Sequence, residues 1–290
     1  MAVKITAAMV KQLREMTDSP MMECKKALVE ADGDLEKAVD VLRTMGVAKA
    51  VKRAGRDTNE GTVAAYVSED GKTGAMLELT CETDFVGSNP KFVAFAEAVA
   101  KVAAENKPAD VDALLACPMN GGTVQSELTE NIHVFGENQK IARFQTIDAQ
   151  DGALASYIHL GGKLGDIVSF SFATPETAQN EDFKAFAHDV AMQVAASAPV
   201  SARREDVPAD VVEHEKSIYT AQAKESGRPE KFWDGIIKGR LNKFYKENVL
   251  TEQEFIKNPE TTISKLGDEV SKKADDKIEI VSFVRFNFGE

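Results

Sequence analysis

Apolar residues near the start of the chain recur at helical spacing. Ile5, Met9, Leu13 and Met16 form one stripe, which predicts an amphipathic helix. Ser19-Pro20 predicts the opening of a second helix, with serine as N-cap and proline in the first turn. "MMECKKALVEA" then places Cys24, Ala27, Leu28 and Ala31 on one face. Asp32-Gly33 breaks the pattern and Asp34 caps a third helix, whose inward face is Leu35, Val39 and Leu42 and whose expected stop is Gly46. A head of this size has little core of its own and suits docking better than catalysis.

The pattern then changes period and repeats. "GTVAAYVSEDGKTGAMLEL" from Gly61 and "GALASYIHLGGKLGDIVSF" from Gly152 align at an offset of 91, pairing Tyr66 with Tyr157 and Gly74 with Gly165. The same offset pairs "FVAFAEAVAKVAAE" from Phe92 with "FKAFAHDVAMQVAA" from Phe183. Each copy reads as a strand hairpin, a connecting loop and an amphipathic helix. Each closes with a late strand, "KIARFQTI" in the first and "IEIVSFVRFNF" in the second. Their Arg-Phe pairs lie 142 apart, so the second copy carries 51 extra residues. That insert, highly charged from Pro208 to Glu225 and from Pro229 to Glu247, has Val212, Ile218, Phe232, Ile236, Ile237 and Phe244 at helical spacing. With the turn Ser226-Gly227-Arg228-Pro229 between its arms, it predicts an antiparallel helical hairpin.

Composition narrows the class. A chain of 290 residues, 43% hydrophobic and 28% charged, is ordinary for a globular protein of two or three domains. No apolar run approaches the roughly 18 residues of a membrane span, and the amphipathic start predicts no export. Cys24, Cys81 and Cys117 form no pair at Cys-x-x-Cys spacing, which fits a reducing, cytoplasmic setting. A net charge of −12 repels polyphosphate and argues against nucleic acid as the main partner. The basic run "AKAVKRAGR", with Lys49, Lys52, Arg53 and Arg56, reads as a solvated linker.

Candidate chemistry is sparse. Gly71-Lys72-Thr73 lacks the earlier glycine of a P-loop, since that position is Tyr66, and Asp70-Gly71 predicts a hairpin turn. His133, His159, His188 and His214 are scattered, with no partner at ligand spacing, so no metal, cofactor or catalytic site is expected. One loop stands out. "TDFV" at 83–86 aligns with "TPET" at 174–177, so Glu176 stands where the first copy has Phe85. The repeat closes without an aromatic there, which favours display of Phe85 over a core plug. An exposed aromatic beside an acid is a common build for a protein-binding hot spot.

These residues together resemble the elongation factor Ts family. The resemblance rests on "LREMTDSPMMECKKALVEADGDLEKAVDVLR", on Thr83-Asp84-Phe85-Val86, and on "GENQKIARF", "MQVAAS", "GRLNKFY", "LTEQEFI" and "VRFNFGE". It implies a non-enzymatic guanine nucleotide exchange factor of translation. Such a factor binds elongation factor Tu in its GDP-bound and nucleotide-free forms and promotes GDP release. By resemblance, Asp84 and Phe85 enter the magnesium and phosphate region of Tu. Lys25 touches the same nucleotide domain, and His159 with the Gly161-Gly162 turn contacts another. Members of the family often continue past the Phe-x-x-Gly-Glu ending into a short helical tail, whereas this sequence stops at Gly289-Glu290, so either the protein is naturally short or a contact is missing. Asp18-Ser19-Pro20 stands where the family's head often has glycines.

The expected fold is α+β: a three-helix, ubiquitin-associated-like head with linker (1–56), a first core unit (57–150), and a second (151–205 and 258–290). The core is a duplicated α+β unit with antiparallel sheets, and the insert (206–257) is a helical hairpin of coiled-coil type. Free projection, contact with Tu and a homodimer are the three roles open to it. The rival reading from another class is an adaptor or scaffold that docks partners through the head and the hairpin.

Overall fold

The computed structural model describes residues 3–290, and the fold is α+β. The head comprises α1 (Ala7–Thr17), α2 (Met21–Glu30) and α3 (Leu35–Arg53). Val10, Leu13, Cys24, Ala27, Leu28, Ala38 and Leu42 form its core. Met16, expected on the inner stripe of α1, is exposed instead. Ser19 is buried and makes no cap; Pro20 takes the N-cap position of α2. Asp34 does cap α3, accepting from Lys37 N–H at 3.1 Å.

Gly46 does not end α3. The helix runs on to Arg53, so the basic run is mostly helical rather than a linker. The physical reason is the neighbour: a Cβ on Gly46 would lie 3.3 Å from the His133 Cβ, so the missing side chain serves close packing instead of a left-handed cap. The residues after it, Val47-Ala48-Lys49-Ala50, carry no breaker.

The first copy continues with β1 (Glu60–Val67), β2 (Thr73–Cys81), the one-turn helix α4 (Asp84–Gly87), α5 (Pro90–Asn106) and α6 (Val111–Ala116). A small hairpin, β3 (Pro118–Met119) and β4 (Gly122–Thr123), leads into α7 (Val124–Phe135) and β5 (Gln139–Asp148). The second copy has β6 (Gly152–His159), β7 (Leu164–Ser171), a 3-10 turn (Pro175–Gln179) and α8 (Glu181–Ser197). The helical hairpin is α9 (Ala209–Glu225) and α10 (Trp233–Asn248), and after it come β8 (Glu254–Phe255), β9 (Asn258–Thr262), α11 (Ile263–Ala274) and β10 (Glu279–Asn287). The sheets have matching orders, β1-β2-β5 and β6-β7-β10, and β7 pairs antiparallel with both neighbours.

The duplication is closer than the strings suggest. α5 and α8 share length, an asparagine N-cap (Asn89, Asn180) and a left-handed C-cap residue just past the helix (Lys107, Ala198). α7 and α11 are also equivalent, each entered from a two-stranded hairpin through a threonine N-cap, Thr123 and Thr262. The second copy buries Phe170, Phe172, Phe183 and Phe186 with Val190, Ile263 and Ile280. Within the insert, α9 and α10 pack through Val212, Tyr219, Phe244 and Tyr245. Phe232, expected on that stripe, is exposed, and Trp233 tucks in by donating Nε1–H to Arg228 O at 2.9 Å.

Contacts divide the chain into two compact units. The first holds the chain up to Ala64, Leu77–Phe144 and Gly289; the second holds Ala65–Met76, Gln145–Phe288 and Glu290. In the second, the tip of the β1–β2 hairpin is sewn to β6: Lys72 Nζ donates to Gly152 O, and Leu154 N–H donates to Gly71 O at 2.8 Å.

Candidate functional site

The stretch 83–86, expected as a loop, is one turn of helix. Thr83 caps it, accepting from Val86 N–H at 3.4 Å, and Gly87 N–H donates to Thr83 O at 3.0 Å. Four residues are too few for an isolated helix to persist in water, so its geometry is imposed from outside. Glu137, between α7 and β5, does this. Its Oε2 accepts from Glu82 N–H at 3.1 Å and Thr83 N–H at 3.0 Å, and its Oε1 accepts from the Thr83 hydroxyl at 2.7 Å. On the far side, Gly87 lies flat on Gly61, near enough that a Cβ would come within 3.1 Å of three backbone atoms.

The four side chains divide by role. Val86 is buried and Thr83 is half-buried, so both anchor the turn. Asp84 and Phe85 point outward, and Phe85 is 83% exposed, which rules out a core plug. Burying a phenylalanine is worth about 2 kcal/mol or more, so so open a ring on so fixed a backbone is costly unless something covers it.

The head meets the first copy along one seam. Glu23 of α2 pairs with Lys49 of α3, and its carboxylate lies 3.4 Å from His133 Nε2 of α7. His133 is buried, and burial pushes its pKa down, while Glu23 pulls the other way. Lys91, opening α5, reaches Asp18 at 2.8 Å. Arg56 pairs with Glu82 at 3.2 Å, and Asn138 Nδ2 donates to Arg56 O at 2.8 Å. The basic run is therefore partly neutralised by specific acids. Lys25 lies exposed on α2, with Met21, Met22 and Val29 also exposed on that helix.

The second candidate site is the tip of the β6–β7 hairpin. Leu160, Gly161 and Gly162 have successive positive φ values of 49°, 61° and 90°. His159 is exposed and its Nδ1 lies 2.9 Å from the Tyr157 hydroxyl, their rings stacked at 5.7 Å. Gly161 is exposed, whereas Gly162 is buried and holds the turn. Among the described residues no three His, Cys, Asp or Glu side chains gather as a metal site, and no helix is long and apolar enough to cross a membrane.

The family model described as "Elongation factor TS" matches residues 82–290, from the base of the helical turn onward. The chain belongs to the elongation factor Ts family. An elongation factor Ts of Clostridium botulinum is 44% identical over 287 residues, covering 99% of this chain and 93% of that relative. One from Trichlorobacter lovleyi is 44% identical over 289 residues with the same coverage. One from Chlorobaculum parvum is 43% identical over 290 residues, covering 99% of each chain. These elongation factor Ts relatives therefore extend the similarity across the head, which lies ahead of the family-model match.

Three residues of the site escape a reading of the sequence. Glu137 sits in "GENQK", more than 50 positions from the turn it holds, with no pattern to join them. His133 looks like one more scattered histidine. Gly87 reads as loop glycine, and only the approach to Gly61 explains it.

Proposed function

We propose that this protein is a guanine nucleotide exchange factor that binds GDP-loaded elongation factor Tu and drives GDP release during translation elongation. The observation that carries the reading is Phe85, an aromatic ring 83% exposed on a backbone turn fixed by three hydrogen bonds from the chain to one carboxylate. A preorganised aromatic loses little entropy on insertion into a partner and is the usual anchor of a hot spot. Asp84 beside it competes for polar groups around the partner's magnesium and phosphates. No acid–base chemistry is required, because exchange is negative coupling: whatever factor the protein takes from GDP affinity, GDP takes from the protein's.

In this reading the four segments divide the work. The head with its following residues (1–56) docks through Lys25, and 57–150 carries Thr83, Asp84, Phe85 and Val86. Residues 151–205 with 258–290 offer His159 and Gly161, with Gly162 setting their turn, and 206–257 form the hairpin. The setting is the cytoplasm.

The test is release of fluorescent GDP from elongation factor Tu in the presence of wild type and Phe85→Ala. Losing an aromatic hot spot costs about 2 kcal/mol or more, so the variant is expected to accelerate release roughly 30-fold less. Its melting temperature should stay near wild type, since an exposed side chain contributes within about 0.5 kcal/mol to stability. Full acceleration by Phe85→Ala overturns the reading.

A further inference from the structure

We propose that Glu137 is a positioning residue for nucleotide exchange, acting through the Asp84-Phe85 turn. This rests on the exchange reading above. The turn cannot hold itself, and Glu137 uses both carboxylate oxygens on its base, taking Glu82 N–H, Thr83 N–H and the Thr83 hydroxyl. The clasp is two-way. Asn138 N–H, next in the chain, donates to the Glu82 carboxylate at 2.6 Å, so residues 82–83 and 137–138 grip each other. Glu137 is itself fixed, following Gly136, which ends α7 at φ 76°. A carboxylate is the right group here, because it accepts only and faces three donors.

The second copy supplies a built-in control. Asp276 follows α11 at the equivalent place and accepts from Ala173 N–H at 3.1 Å, Thr174 N–H at 2.8 Å and the Thr177 hydroxyl at 2.7 Å. Its pKa is lowered to about 2 by those bonds, the Thr177 hydroxyl first. The same device thus holds the turn Pro175–Gln179, which displays Glu176 and no aromatic. Both carboxylates serve the fold, and only the first also aims a side chain at a partner.

That difference separates a structural role from a positioning one. Glu137→Gln and Asp276→Asn keep shape and remove an acceptor, and each should lower the melting temperature by a few degrees. Only Glu137→Gln should slow GDP release from elongation factor Tu, by about tenfold. Placed in Phe85→Ala protein, Glu137→Gln should slow release by clearly less than tenfold, since only Asp84 is then left to aim, while its effect on melting persists in full. Thr83→Val, which leaves the carboxylate but deletes the hydroxyl that both donates to Glu137 and caps Val86 N–H, should also slow release, with the same dependence on Phe85. It answers the question if the glutamine variant does not melt cooperatively. The proposal is overturned if Glu137→Gln or its Thr83→Val substitute exchanges like wild type while Phe85→Ala is impaired. Equal slowing in the Phe85→Ala background, or equal slowing by Asp276→Asn, overturns it as well. Normal exchange by Phe85→Ala alone removes the wedge itself, a failure distinct from these.

Discussion

Asp166 is the most perturbed carboxylate among the described residues. It is fully buried on β7, paired in register with Arg285 of β10 and Tyr157 of β6, and neither of its oxygens accepts a hydrogen bond. Burial pushes its pKa up to about 8, with Arg285 pulling down only in part. At neutral pH the folded protein therefore holds a proton there that the unfolded chain has lost. The folded state binds more protons between about pH 4 and 8, so this group's contribution is present below its unfolded value and fades as pH rises to 8. Asp166→Asn should remove that slope and gain on wild type as pH rises, by at most about 1.4 kcal/mol per unit. Urea unfolding at pH 5 and pH 8 checks this; parallel pH profiles for the two proteins would contradict it. The first copy handles a buried acid differently, giving Glu78 a two-pronged contact with Arg143 at 2.8 and 2.9 Å.

At the scale of elements, α4 shows how a short turn depends on what surrounds it. Gly87→Ala must push a methyl against the Gly61 backbone, 3.1 Å away, and should destabilise by about 1–3 kcal/mol. Gly239, on α10 with open space around it, is the contrast: Gly239→Ala should be neutral or stabilise by up to about 1 kcal/mol. Thermal melts of the pair check both signs. The hairpins, the long helices and the insert were legible because each carries ten or so residues of periodic signal. The Phe85 display was legible too, since its sister position holds Glu176. Past Gly46 the strings misled, because glycine marks a helix end only when nothing else needs the missing side chain. The α7–α11 correspondence was hidden for another reason: its helices share caps and position but little sequence.

At the scale of the whole molecule, the head's seam with the first copy turns on His133. Burial favours its neutral form in the fold and so lowers its pKa, with Glu23 favouring the charged form and Lys49 and Arg53 opposing it. The unfolded chain takes up a proton below about pH 6.5, so stability is lost as pH falls from there toward the folded value. Wild type should lose stability over that window more steeply than His133→Gln, by up to about 1.4 kcal/mol per unit. Denaturant melts from pH 7.5 to 5 read the slope, and equal slopes would place the pH dependence elsewhere. The sequence offered no hint of this seam, because burial and a long-range acid, not spacing, make that histidine special.

The hydrogen bonds that tie Gly71 and Lys72 to β6 have a consequence in time. Ala65–Met76 is made early yet packs in a unit whose other members follow Phe144. As the chain leaves the ribosome, this hairpin tip, with Ala75 and Met76 that end fully covered, must stay uncovered until β6 and β7 emerge. Its polar crown, Ser68-Glu69-Asp70, keeps water at the end of a strand pair that has yet to meet its neighbours.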